Sequence, residues 1–136
     1  MDKNQNKNRK WQKLTNQRTQ ILEFLQTAKN HPTAEDIYKE LKPHLARLSL
    51  STIYRNLQSL EFEKVICSIK TPDRKIHYEE AGPDHAHFFC DHCQKLLELP
   101  LIELIDIKNR LKAKGYEIQK INFVIQGTCP ICAELF

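Results

Sequence analysis

The chain has 136 residues, 40% hydrophobic and 28% charged, with a formal net charge of +4. That is one ordinary domain or two small ones. No run of about 18 apolar residues occurs, which argues against a transmembrane helix. The polar start, Met1 to Lys10, lacks an apolar core of signal-peptide type, so a cytoplasmic address is expected. Charge is uneven: residues 1–80 balance to +5 and residues 81–136 to −1. Lys3, Lys7, Arg9, Lys10 and Lys13 stand against Asp2 alone in the first thirteen residues. A basic arm on a basic half suits a polyanion such as DNA.

Thr15 is placed to cap a first helix over 16–28, with Ile21, Leu22, Leu25 and Ala28 on one face. Asn30-His31-Pro32 breaks it. Thr33 caps a second helix, with Asp36 completing a short capping box; its stripe is Ala34, Ile37, Tyr38, Leu41 and Leu45. Ser49 caps a third over 50–62, with Leu50, Ile53, Leu57 and Leu60 inward. Two β runs follow, Val65–Ile69 and Lys75–Tyr78, joined by the turn Thr71-Pro72-Asp73-Arg74. Three helices and a hairpin are in the order of a winged helix-turn-helix.

Ala81-Gly82-Pro83-Asp84 reads as a hinge between residues 1–80 and 85–136. Beyond it the pattern predicts a strand at His87–Cys90, a turn, and a strand at Lys95–Leu99. Pro100 then opens a helix over 101–114, with Leu101, Leu104, Ile105 and Leu111 on one face, and Gly115 ends it. A last strand, Tyr116–Gln126, alternates Ile121, Phe123 and Ile125. That alternation would suit an intersubunit sheet. About 50 residues bury little core alone, so this half needs a metal, a partner chain, or both. The fold class expected is α+β: a winged helix followed by a small α/β domain.

The strongest site signal is two Cys-x-x-Cys pairs, Cys90/Cys93 and Cys129/Cys132, separated by 35 residues. Each pair can present two thiolates from one turn, and two such turns complete a tetrahedral zinc site. Four thiolates leave no open position, so the site reads as structural. The second signal is histidine. His85 and His87 alternate on a strand and so share a face. Glu98 on the neighbouring strand can add a carboxylate, while His77, Glu79 and His31 lie in the first half. A metal held by these groups would tie the halves together. Cys67, alternating with Val65 and Ile69, reads as a small buried hydrophobe, and His44 and His92 as surface residues. The third signal is the helix after Ser49, which leaves Thr52, Tyr54, Arg55, Asn56 and Ser59 outward, a mixture suited to reading a major groove.

Together these residues resemble the ferric uptake regulator family of bacterial metal-dependent repressors. The matching stretches are His31-Pro32-Thr33-Ala34-Glu35-Asp36-Ile37-Tyr38, Ser51-Thr52-Ile53-Tyr54-Arg55-Asn56-Leu57, His85-Ala86-His87-Phe88-Phe89-Cys90-Asp91-His92-Cys93 and the closing Cys-x-x-Cys. The resemblance implies a homodimer with a C-terminal dimerisation domain and structural Zn²⁺ at Cys90, Cys93, Cys129 and Cys132. It also implies a regulatory ion, Fe²⁺ or Mn²⁺ and alternatively Zn²⁺ or Ni²⁺, at His31, Glu79, His85, His87 and Glu98. His77 either substitutes for Glu79 or joins it. Lys13, Arg18, Ser51, Thr52, Tyr54 and Arg55 are the candidate contacts to an A·T-rich palindromic operator in double-stranded DNA. If iron fills the site, peroxide could oxidise a ligand histidine and release DNA.

Three departures matter. Peroxide sensors of the family usually carry Asp where this chain has Glu79 and Glu98. The histidine that a further dimerisation-domain metal site needs is missing from Gln119–Phe123, so that site is expected to be absent. Lys64 replaces the usual glycine before the wing. The expected function is metal-dependent repression in metal homeostasis or the peroxide response, without enzymatic activity. Rival classes are a zinc-binding interaction module that does not bind DNA and a small metallohydrolase.

Overall fold

In the computed structural model, residues 16–28, 30–83, 85–99 and 102–135 are described, apart from the side chains of residues 85 and 102–105. Thr15, Lys13 and Leu101 lie outside the described residues, as do the side chains of Leu104 and Ile105. The chain divides into two units: Met1–Ser68 with Ile76–Ala81, and Ile69–Lys75 with Gly82–Phe136.

In the first unit, α1 covers 16–27. The chain then turns through His31, whose φ is +49°. Thr33 starts α2 (Ala34–Leu41) with a complete capping box: its hydroxyl accepts the Asp36 N–H at 3.2 Å, and Asp36 Oδ2 accepts the Thr33 N–H at 3.0 Å. Two of the helix's orphan donors are thereby satisfied. Ser49 caps α3 (Leu50–Phe62), accepting the Thr52 N–H at 3.2 Å. Ile21, Leu25, Ile37, Leu41, Ile53, Leu57 and Leu60 are buried in one apolar core.

The end of α3 explains the Lys64 departure. Val65 N–H bonds the Leu60 carbonyl and Lys64 N–H bonds the Glu61 carbonyl, both at 3.0 Å. This pair of bonds is a Schellman closure, and it requires a left-handed residue after the cap. Lys64 takes that conformation, at φ +61°. The turn therefore keeps the geometry that glycine would adopt, with a side chain in its place.

The hairpin consists of β1 (Ile66–Lys70) and β2 (Ile76–Glu80), each displaced by about one residue from the expected runs. Its register is fixed near the tip by Thr71 N–H to the Lys75 carbonyl and at the base by Ala81 N–H to the Val65 carbonyl.

The second unit contains a three-stranded sheet, ordered β4 (Leu96–Leu99), β3 (His85–Cys90), β5 (Asn122–Gly127), with α4 (Ile102–Ala113) between β4 and β5 in the chain. β3 pairs antiparallel with β4 and parallel with β5. The expected last strand was too long. Its pairing begins at His85↔Asn122, where β3 itself begins, so residues 116–121 precede the strand rather than forming part of it. The expected first strand was too short, because β3 starts at His85 rather than His87. A final short helix, α5 (Pro130–Leu135), was not expected. In this unit Ile69, Phe89 and Leu96 form a small buried cluster.

Candidate metal centres and nucleic-acid face

The parallel β3–β5 pairing accounts for the cysteine cluster. Its register sets Cys90 beside Gly127, which carries Cys129, two residues on, to the first Cys-x-x-Cys turn. The Asp91 N–H bonds the Gly127 carbonyl at 2.8 Å. A Cβ at Gly127 would sit 3.0 Å from the Phe88 ring, so glycine permits this close approach. Cys129 precedes α5, and Pro130 occupies its first position, where a missing N–H costs nothing.

The four Sγ atoms of Cys90, Cys93, Cys129 and Cys132 all lie within 4.8 Å of one another. Cys93 and Cys129 are 3.9 Å apart, Sγ to Sγ. A tetrahedron with zinc–sulfur bonds of about 2.3 Å has edges of about 3.8 Å, which the Cys93–Cys129 separation matches, so the four thiols are grouped closely enough to hold one zinc ion. The thiols are not paired as disulfides. N–H groups of Cys129 and then Cys93 hold the Cys90 thiol down, at about 6 against 9.0; the Cys129 bond is 3.3 Å. Burial pushes Cys132 up to about 12.

The histidine and carboxylate candidates form a pair within each unit. In the first, Glu79 Oε2 lies 3.0 Å from His31 Nε2, with the side chains 12% and 5% exposed. β2 grips the His31 turn from both sides: Tyr78 N–H bonds the Pro32 carbonyl at 2.9 Å, and His77 Nδ1 lies 2.7 Å from the His31 carbonyl. A carbonyl partner requires the proton on His77 Nδ1. His77 Nε2 is buried without a hydrogen-bond partner among the described residues. In the second unit His87 on β3 lies directly across from Glu98 on β4. His87 is buried at 1% exposure, and Glu98 is exposed. His85 lies two residues before His87 on the same strand.

On α3, Ser51, Tyr54 and Arg55 are exposed and Thr52 is half-buried, while Ile53 and Leu57 face the core. Tyr54 Oη donates to Glu35 Oε1 at 2.6 Å. That bond raises Tyr54 to about 12 and lowers Glu35. Thr52 accepts the Asn56 amide on its carbonyl at 3.0 Å. Arg18 is not free on the surface: it donates to Ser59 Oγ at 3.0 Å and pairs with Glu63. Sequence reasoning missed this tether because Arg18 and Glu63 are 45 positions apart.

The profile of the ferric uptake regulator family matches residues 10–126. The chain belongs to the ferric uptake regulator family. Among relatives of this family, the peroxide operon regulator of Bacillus subtilis is 28% identical over 123 residues, covering 90% of this chain and 85% of that one. The Helicobacter pylori ferric uptake regulator, whose structure reveals three functional metal binding sites, superposes with a TM-score of 0.76 at 26% identity. It covers 87% of this chain, and 80% of the H. pylori chain is matched. The Campylobacter jejuni peroxide stress regulator shares the fold, with a TM-score of 0.81 at 24% identity over 97% of this chain and all of that one.

Proposed function

We propose that this member of the ferric uptake regulator family is a cytoplasmic, homodimeric repressor whose grip on DNA is gated by one divalent ion per chain. Metal-dependent transcriptional regulation is the function of its relatives and of this chain. The finer reading rests on one observation: each unit carries its own histidine–carboxylate pair, His31/Glu79 and His87/Glu98. Half a ligand set on each unit is what a gate needs, because an ion bound by both halves favours the arrangement that unites them. A preference of about 2.7 kcal/mol for that arrangement changes a two-state ratio about 100-fold.

His85 is the fifth proposed ligand and His77, through Nε2, the sixth candidate. Imidazole with carboxylate suits Fe²⁺ and Mn²⁺. Iron or peroxide is accordingly the proposed signal, and zinc or nickel the alternative. The four cysteines hold structural Zn²⁺. Lys13, Arg18, Ser51, Thr52, Tyr54 and Arg55 serve the operator, a palindrome rich in A·T, and Arg18 must leave Glu63 to do so. The protein acts by binding, not by turnover.

Calorimetric titration of zinc-loaded protein with Mn²⁺ tests the ligand set. One further ion per chain is expected, with affinity lost in both His31→Ala and His87→Ala. Loss in only one variant would show that the ion is held by a single unit and would sink the gate.

A further inference from the structure

Cys67 is the one cysteine outside the zinc cluster, and it is buried on β1 at 6% exposure. Its thiol donates to Glu79 Oε1 at 3.5 Å, directly across the hairpin. The other oxygen of the same carboxylate, Oε2, is the one 3.0 Å from His31 Nε2. The carboxylate is therefore held at both ends, with one oxygen backed by sulfur and the other turned to the histidine. All three side chains belong to the first unit.

We propose that Cys67 is a positioning residue for the regulatory metal: it occupies Glu79 Oε1 so that Glu79 offers a single oxygen. The inference rests on the reading of Glu79 as a ligand of that metal. Partners that orient a ligand from behind commonly change metal affinity 10- to 100-fold when removed. Tying one oxygen also limits the carboxylate to one bond. This suits ions that take few ligands and penalises those that gain from a chelating carboxylate. A thiol does this with little desolvation cost, since it is a weak donor that packs as a small hydrophobe. The hairpin register, set by the Thr71–Lys75 and Ala81–Val65 bonds, accounts for what Cys67 meets.

The test compares Cys67→Ser, which keeps a donor, with Cys67→Val, which keeps the bulk and removes it. The full-length protein is used with structural zinc in place, and one bound zinc per chain confirms that each variant is folded. Mn²⁺, Co²⁺ and Zn²⁺ affinities are measured by competition. The valine variant is expected to bind each ion with an affinity changed about tenfold, by unequal factors, so that the ratio of Mn²⁺ to Zn²⁺ affinity moves. The serine variant is expected to restore the wild-type ratio. The Co²⁺ spectrum should show no thiolate-to-metal charge-transfer band.

An unchanged ratio in the valine variant, with the wild type binding its second ion, overturns the role of Cys67 alone. A charge-transfer band that vanishes in both variants overturns it in favour of direct sulfur ligation. A wild type that takes up no second ion overturns the reading of Glu79, and the role of Cys67 with it.

Discussion

The cysteines of the candidate zinc cluster differ in how readily they give up a proton. Cys90, bonded by the Cys129 and Cys93 N–H groups, sits at about 6, whereas burial keeps Cys132 at about 12. A metal that takes four thiolates must therefore displace at least the Cys132 proton throughout the neutral range. Protons compete with zinc, so affinity rises with pH. Between about pH 6 and 8, the apparent zinc affinity should increase, and protons should appear in unbuffered solution as zinc binds. Competition against a chromophoric chelator at several pH values checks this; a flat profile would contradict it. The cysteine spacing made this cluster legible in the sequence, because two Cys-x-x-Cys turns are the pattern that groups four thiols round one ion. Cys67 was legible only as a buried residue. Alternation says which face it occupies, and only the hairpin register brings Glu79 opposite.

At the scale of elements, the capping residues Thr33 and Ser49 and the stripes of α2 and α3 were readable, because both cap and stripe are local. The extent of β5 was not, since a strand ends where its partner ends, and β3 begins at His85. α5 escaped notice because six residues are too few to show periodicity, although a proline directly after Cys129 fits a helix start. The two Schellman closures offer a direct comparison. After α4 the left-handed position is Gly115, at φ +92°; after α3 it is Lys64, at φ +61°. A side chain pays a conformational penalty there that glycine avoids, partly offset by glycine's greater freedom when unfolded. Lys64→Gly should raise stability by about 0.5–1 kcal/mol, read from the urea midpoint. A lower midpoint would mean that the Lys64 side chain makes a contact that outweighs the strain.

At the scale of the molecule, the chain is two small units, each with its own core and its own half of a candidate ligand set. The basic balance of residues 1–80 supplies attraction to phosphate, which is salt-dependent and indifferent to sequence. In the proposed function, Tyr54 and Arg55, exposed on α3, are the groups that distinguish bases. In that proposal the ion joins the halves, and the joined halves hold two reading helices at the spacing of a palindrome. The most direct test is fluorescence anisotropy with an A·T-rich palindrome, using zinc-loaded protein under anaerobic conditions. Fe²⁺ and Mn²⁺ are titrated into the wild type and into Glu79→Gln. Binding is expected to rise about 100-fold with metal in the wild type and little in the variant. Equally tight binding without metal, or a full metal response in Glu79→Gln, would contradict it.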